Sequence, residues 1–260
     1  MTAGHAPFWN NKKVTGNGNL TTKTIKTPTY DHIKSVGFMD VKLIQGNEGE
    51  ITVKTDENLQ QWIQVKVKKN TLVLDIKDNV NIRTKKGVHI TVPFEEISGV
   101  SLVGSGDIHT EDTIKTSVFE TELVGSGDID LTIHTSKVKA NVTGSGDMIL
   151  SGSTDELQIH VTGSGDFDGE DLISNRTDVS CTGSGDAMVV ANTNLNAKVH
   201  GSGDIEYKGK PIQKDIRIFG SGDVNQYTED ILIGVFYFLE SNQIIRINSN
   251  EENSIICYNH

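Results

Sequence analysis

The chain has 260 residues, of which 26 are glycine, and its 24 basic and 35 acidic residues give a formal net charge of −11. This acidic balance argues against nucleic acid as a partner, and glycine at one residue in ten excludes a collagen-like chain. The longest apolar run, residues 231–239, is about half as long as a transmembrane helix requires, so no transmembrane segment is predicted.

Residues 1–26 are predicted to form an N-terminal lead and cap. The first six residues lack the basic patch and the apolar stretch of a secretory signal. Residues 27–103 are predicted to form irregular β coils, or a cap that contains a hairpin, continuous with the repeats that follow. Within them, residues 37–40 look like an eroded copy of the repeat motif, and residues 16–19 are a second candidate copy. A stack of coils needs such a cap because an open end exposes its core and its sheet edges.

The regular part of the chain, residues 104–226, contains the tetrapeptide Gly-Ser-Gly-Asp seven times, at intervals of 18 to 21 residues. A period near twenty residues is the signature of a solenoid. The two glycines and the aspartate of the successive copies are Gly104, Gly106 and Asp107; Gly125, Gly127 and Asp128; Gly144, Gly146 and Asp147; Gly163, Gly165 and Asp166; Gly183, Gly185 and Asp186; Gly201, Gly203 and Asp204; and Gly220, Gly222 and Asp223.

Apolar residues flank each copy at alternating positions. The residues two and four positions before the motif, and the residue directly after its aspartate, are almost all apolar, whereas the residue three positions before it is polar. A period of two predicts strands with one buried and one exposed face. We therefore expect the two-before and four-before columns to be buried, and Glu122, Lys198 and Arg217 of the three-before column to be exposed.

Several repeat architectures have to be compared. Leucine-rich repeats have this period but require spaced leucine and asparagine residues that are absent here, and a propeller blade needs about 40 to 45 residues. A parallel β-helix explains why one identical corner recurs, because its coils stack about 4.8 Å apart and place equivalent residues in ladders. The predicted fold class is all-β, a parallel β-helix of about 19–20 residues per coil.

The corner motif has a chemical logic of its own. Its glycines permit positive φ or close backbone approach where the coil bends. Seven stacked aspartates repel one another, and this repulsion must be offset. Serine and aspartate side chains can bind backbone N–H groups, and we expect each carboxylate to accept two or three of them. A ladder of bound calcium ions is the alternative, although the facing turns of the known calcium repeats are missing.

One corner is more acidic than the others. Asp166, Asp168, Glu170 and Asp171 place four carboxyl groups within six residues. Such a cluster can bind one cation, but a solvated turn is its commoner explanation. No cofactor is predicted, and calcium remains the one candidate ion.

The outward positions of the strands are candidates for binding. Thr143, Thr162 and Thr182 directly precede three consecutive motifs, and such a ladder could match a regular polymer such as a glycan. The simpler explanation is that threonine suits a strand. His160 and His200 are predicted to lie on the surface, without a zinc site. Cys181 occupies an apolar column and is predicted to be buried and unbridged.

Catalysis is not favoured by the repeats. Polysaccharide-cleaving enzymes need two carboxyl groups with different roles, whereas the repeated aspartates are equivalent by position. Residues 227–260 lack the motif and are predicted to form a C-terminal cap, with the apolar run 231–239, and a flexible tail. Cys257 lies in that segment.

Three features together resemble one known family. They are the spaced Gly-Ser-Gly-Asp motifs, the segment Tyr30-Asp-His-Ile-Lys-Ser-Val-Gly-Phe-Met-Asp-Val, and the segment Val88-His-Ile-Thr-Val-Pro-Phe. Over about residues 14 to 226 the chain resembles the head GIN domain family of auto-transporter adhesins. The resemblance implies a right-handed β-helix, an exported protein of the cell envelope or surface, and an extracellular protein or glycan as ligand. We therefore expect a non-catalytic adhesin, with a polysaccharide lyase or hydrolase on the same scaffold as the alternative.

Overall fold

A computed structural model describes residues 12–227 and contains, within them, 22 β-strands and one 3-10 helix. The strands of the N-terminal region are β1 (Lys12–Thr15), β2 (Leu20–Lys26), β3 (His32–Gly37), β4 (Asp40–Gln45), β5 (Glu50–Asp56), β6 (Ile63–Lys68), β7 (Thr71–Ile76), β8 (Val80–Arg83) and β9 (His89–Phe94), with the 3-10 helix at Glu57–Trp62. The strands of the repeat region are β10 (Gly99–Gly104), β11 (Ile108–Lys115), β12 (Val118–Gly125), β13 (Ile129–His134), β14 (Lys137–Gly144), β15 (Met148–Gly163), β16 (Phe167–Asp168), β17 (Leu172–Gly183), β18 (Ala187–Val190), β19 (Asn194–Gly201), β20 (Ile205–Lys208), β21 (Gln213–Gly220) and β22 (Val224–Gln226).

Each repeat is one coil of a parallel solenoid. The strands that precede the corners pair in parallel from coil to coil and form a broad sheet, in the order β7, β3, β10, β12, β14, second half of β15, β17, β19 and β21. The strands that follow the corners form a narrow sheet, in the order β9, β4, β11, β13, first half of β15, β16, β18, β20 and β22. The predicted all-β parallel β-helix is therefore confirmed.

The core lies between the two sheets, and its residues follow the predicted columns. The two-before and four-before positions are buried in the first six copies, for example Leu102 and Val100. Glu122 and Arg217 are exposed and Lys198 is partly exposed, as expected. The prediction is wrong for the seventh copy, in which Ile216 and Ile218 are 40% and 43% exposed. No later strand among the described residues pairs with β21, so these side chains lack a neighbouring coil on that side.

The N-terminal region combines one coil with an antiparallel cap. Gly37 ends β3 with φ 115° and lies beside Gly104 in the sheet register, so residues 37–40 form a corner that precedes the first full motif. The hairpin β6–β7 and the antiparallel pairs β2–β5 and β5–β9 make a hairpin-containing cap, one of the two expected forms. Residues 16–19 do not form a solenoid corner, because among the described strands β1 pairs only with β8, and β2 runs antiparallel to β5.

A buried carboxylate joins three segments of this cap. Asp56 is fully buried and accepts hydrogen bonds from the Gly18 N–H at 2.6 Å, the Thr84 hydroxyl at 2.8 Å and the Lys85 N–H at 3.1 Å. Burial alone would raise the pKa of the Asp56 carboxyl, but the three hydrogen bonds outweigh it and hold the pKa below its usual range. A Cβ at Gly16 would lie 2.3 Å from this carboxylate, which explains the glycine there.

Two expectations concern residues outside the described range. The predicted C-terminal cap and tail, and Cys257 with them, lie in residues 228–260 and stay predictions.

In the part of the chain that the structure describes, no helix is long and apolar enough to cross a membrane.

Candidate functional site

The glycines of the corners allow consecutive coils to approach closely. The first glycine of every copy has a φ between 121° and 149°, a conformation that side chains other than glycine rarely adopt. A Cβ on either glycine of any copy would lie 1.9 to 2.3 Å from a carbonyl oxygen of the preceding coil. The motif therefore recurs unchanged because the backbone of each corner rests directly on the backbone of the corner before it.

The aspartates of the corners form a hydrogen-bonded ladder. The carboxylate of each aspartate from Asp107 to Asp204 accepts the backbone N–H of the next aspartate in the ladder, at 2.7 to 3.1 Å. Each carboxylate thus accepts one backbone donor, not the expected two or three. The expectation that the motif serines bind backbone is wrong, since their hydroxyls are exposed and make no hydrogen bond within the described residues.

Three of the four acids proposed as a cation site, Asp166, Asp168 and Glu170, line one shallow pocket of the narrow sheet, and Asp171 does not line it. Asp168 accepts the Glu170 N–H at 3.0 Å, Glu170 pairs with Lys208 at 3.2 Å, and Asp166 accepts the N–H of Asp186 at 2.8 Å. The backbone carbonyl of Asp171 accepts the Gly152 N–H. In the described part of the chain, no group of three His, Cys, Asp or Glu side chains is placed to hold a metal ion.

We expect calcium to leave the stability of the protein unchanged. Each ladder carboxylate from Asp107 to Asp204 already has a charge-assisted backbone donor from the next coil. Melting the full chain in chelator and in millimolar calcium, with sodium chloride matched for ionic strength, should give the same melting temperature. A calcium ladder would instead raise the melting temperature by several degrees, because an ion that binds only the folded state stabilises it.

The broad sheet presents four outward columns of side chains, which we call the broad face. The register places them in line from β12 to β21. The columns are Val118, Lys137, Glu156, Arg176, Asn194 and Gln213; Glu120, Lys139, Gln158, Asp178, Asn196 and Asp215; Glu122, Asn141, His160, Ser180, Lys198 and Arg217; and Val124, Thr143, Thr162, Thr182, His200 and Phe219. The predicted threonine ladder and the exposed His160 and His200 belong to this face.

Ion pairs neutralise much of the charge on the broad face. Lys139 pairs with Glu120 at 2.7 Å, and its hydrogen bond holds the pKa of Glu120 below the usual range. Hydrogen bonds from the Arg176 guanidinium and, to a smaller extent, from Lys137 lower the pKa of Glu156 in the same way. Opposite charges on adjacent coils therefore stabilise the ionised forms without a bound counter-ion.

A shallow groove of about 520 Å³ runs along the first two columns, from β14 to β21. Its amide side chains are Gln158, Asn194, Asn196 and Gln213. Asn194 donates to Gln213 at 2.6 Å and Asn196 donates to Asp178 at 3.0 Å, whereas the Asn196 Oδ1 is shielded from solvent and accepts no hydrogen bond within the described residues. At the edge of the face the rings of His200 and Phe219 stack, with centroids 4.7 Å apart.

The structure also reveals a serine–histidine contact that spacing arguments missed. Ser153 Oγ lies 2.7 Å from His134 Nδ1 on the narrow sheet, one coil apart. The nineteen-residue separation of the pair equals one coil, so the repeat period could have indicated it. In the described residues no carboxylate hydrogen-bonds to His134, so the orienting member of a catalytic triad is missing.

Cys181 is buried and unbridged, as predicted. Burial raises the pKa of its thiol to about 12. Because the thiolate is the reactive species, this cysteine is a packing residue and a poor nucleophile.

The stacked parallel strands make the chain a β-solenoid whose broad face is largely polar. The family described as "Putative auto-transporter adhesin, head GIN domain" matches residues 29–211, and the chain belongs to that family. Among curated proteins no sequence matches the chain.

Solved structures agree with this assignment. The chain is similar to a putative adhesin from Bacteroides fragilis, with 27% identity and a TM-score of 0.78 over 82% of this chain and 100% of that one. It is also similar to a putative lipid binding protein from Parabacteroides distasonis, with 26% identity and a TM-score of 0.65 over 84% of this chain and 100% of that one. A putative adhesin from Parabacteroides merdae, 21% identical over 84% of this chain and 100% of that one, shares the fold with a TM-score of 0.70.

Proposed function

We propose that the chain is an exported, non-catalytic adhesin of the cell envelope or surface, and that the broad face binds its ligand. The observation that carries the proposal is the alignment of four exposed columns over six consecutive strands. A regularly spaced array of this kind offers an extended ligand contacts along several coils, whereas a catalytic site needs a few side chains with distinct roles. The family of the chain supports an extracellular setting.

The polysaccharide-cleaving alternative is less well supported. A glycoside hydrolase needs one carboxyl group with a raised pKa to act as the acid. The resolved shifts in the pKa of carboxyl groups on the broad face, at Glu120, Glu156 and Asp215, are all downward, because lysine or arginine side chains donate to these carboxylates. The lipid-binding name of the P. distasonis relative is likewise not carried over, since the groove is lined mainly by charged and amide side chains.

Adhesion of coated beads tests the proposal. Beads that carry the full chain are applied to surfaces coated with mucin, fibronectin or bacterial capsular polysaccharide, and free chain is added as competitor. We expect saturable, competable adhesion to at least one surface. The broad-face variant Arg176→Ala/Asn196→Ala should lower it about tenfold, as loss of central contacts typically does.

The matched control lies on the narrow sheet. Asp130 and Glu206 point outward there, and the variant Asp130→Ala/Glu206→Ala should adhere like the unmodified chain. Circular dichroism and melting temperature establish that both variants are folded. Absence of adhesion to every surface, or equal loss in both variants, would contradict the proposal.

A further inference from the structure

We infer that the ligand of the broad face is a neutral, linear glycan that lies in the groove along the axis of the solenoid. This inference rests on the proposed function and names the class of its ligand. Four properties of the groove carry it: its charge balance, its hydrogen-bonding groups, its repeat distance and its scarcity of aromatic side chains.

The charges that line the groove cancel. Three basic side chains, from Lys137, Arg176 and Lys214, oppose three acidic ones, from Glu156, Asp178 and Asp215. Glu156 is in addition paired with both Lys137 and Arg176, at 3.2 and 2.5 Å. A polyanion is attracted to a surface of net positive charge, and this groove has none. The charge balance therefore favours an uncharged ligand.

The hydrogen-bonding groups suit hydroxyl groups. Each of the four amide side chains has donors and an acceptor, and a sugar hydroxyl can likewise donate and accept. The Asn196 Oδ1 is shielded from solvent and accepts no hydrogen bond within the described residues. Because a ligand hydroxyl cannot reach an atom that is shielded from water, the amide groups that can meet sugar hydroxyls are those of Gln158, Asn194 and Gln213.

The strands that line the groove follow one another at a regular distance along its length. It crosses the five strands from β14 to β21, and neighbouring strands lie about 4.8 Å apart. This spacing is close to the length of one pyranose unit in an extended polysaccharide. Successive sugar units can therefore lie over successive coils, which a compact ligand cannot do.

A folded protein partner fits the groove less well. The centres of protein interfaces are enriched in aromatic residues and depleted of lysine, glutamate and aspartate. Here the centre is made of charged and amide side chains, and the stacked rings of His200 and Phe219 lie at the edge.

Native gel electrophoresis of the full chain tests the inference. Gels contain a neutral polysaccharide, namely hydroxyethyl cellulose, galactomannan or laminarin, or an acidic one, namely alginate or polygalacturonate. We expect at least one neutral polysaccharide to retard the chain and the acidic ones not to. Gln158→Ala should weaken the retardation about tenfold, and Gln213→Ala provides a second variant if the first is poorly folded. Asn225→Ala, an exposed amide of the narrow sheet, is the matched control.

The outcomes separate the inference from the proposed function. Retardation only by alginate or polygalacturonate, or equal loss in the Gln158 and Asn225 variants, overturns the neutral-glycan assignment. Failure of every polysaccharide overturns it as well. If beads coated with the chain still adhere to fibronectin through the broad face in that case, the ligand is a protein and the adhesin proposal stands. If the beads adhere to nothing, both fail.

Discussion

Replacing Gly146 with alanine is expected to lower the free energy of unfolding by at least about 4 kcal/mol. The new Cβ would lie 2.0 Å from the carbonyl oxygen of Gly127, and the next nearest atoms, the carbonyl carbon and nitrogen of that residue, are backbone as well. Relief would require two coils to separate in the middle of the stack, which would break the parallel pairing of β12 with β14. Urea denaturation followed by circular dichroism measures the loss.

Ser145→Ala is the matched control for this prediction. Ser145 lies in the same corner, is exposed, and its hydroxyl makes no hydrogen bond within the described residues. Its replacement should change the free energy of unfolding by no more than about 0.5 kcal/mol. If Gly146→Ala were as stable as Ser145→Ala, close backbone stacking would not be the reason why the motif recurs unchanged along this chain.

Replacing Asp56 with alanine is expected to destabilise the protein by about 3 kcal/mol at neutral pH. The change removes the acceptor of the N–H groups of Gly18 and Lys85 and of the Thr84 hydroxyl, and a hydrogen bond to a charged group contributes about 1.5–3 kcal/mol. Water can replace part of this loss, because Lys85 is exposed and Gly18 and Thr84 are partly exposed. The exposed Asp78 is the control, and Asp78→Ala should be nearly neutral. Equal effects at the two positions would contradict the role assigned to Asp56.

The contribution of Asp56 should also depend on pH. Its folded pKa lies below the unfolded value because of its hydrogen bonds. Stability from such a group is fully present above the unfolded pKa, about 3.9, and is lost as the pH falls through the folded pKa. The difference in unfolding free energy between the unmodified chain and Asp56→Ala should therefore be constant from pH 7 to about pH 5 and shrink in more acidic solution. A difference that grows on acidification would show the opposite linkage.

The repeat region could be predicted because each coil repeats the local pattern of the one before. Once the motifs are aligned, the period determines which residues stack, so Glu156 beside Arg176 or Ser153 beside His134 follows from the register. The antiparallel cap has no such repetition. The pairing of β2 with β5 joins segments whose alternation of apolar residues is compatible with several partners.

The details of the site depended on side-chain geometry that does not follow from aligning the repeated motifs of the chain. The motif serines point into solvent and leave the backbone N–H of the next aspartate to the carboxylate of the ladder. The role of Asp56 could not be predicted from the sequence, because its three hydrogen-bond donors lie in turns that are distant along the chain. Likewise the shape of the groove depends on the conformations of long side chains such as Arg176, which bends toward Glu156. The sequence of a repeat does not determine those conformations.

Hydroxyl-radical footprinting of the full chain, with and without an excess of whichever soluble mucin, fibronectin or capsular polysaccharide it binds, locates the ligand most directly. The reactive side chains of the broad face are His160, His200 and Phe219, and those of the narrow sheet are His109, Ile149 and Met188. Binding in the groove of the broad face predicts that His160, whose Nε2 lies 3.2 Å from the Gln158 amide of the groove, is protected from oxidation and that the second set is not. His200 and Phe219 lie in the column farthest from the groove and report a ligand that covers the rest of the face. Protection of the second set, or of neither set under saturating ligand, would contradict binding through the broad face.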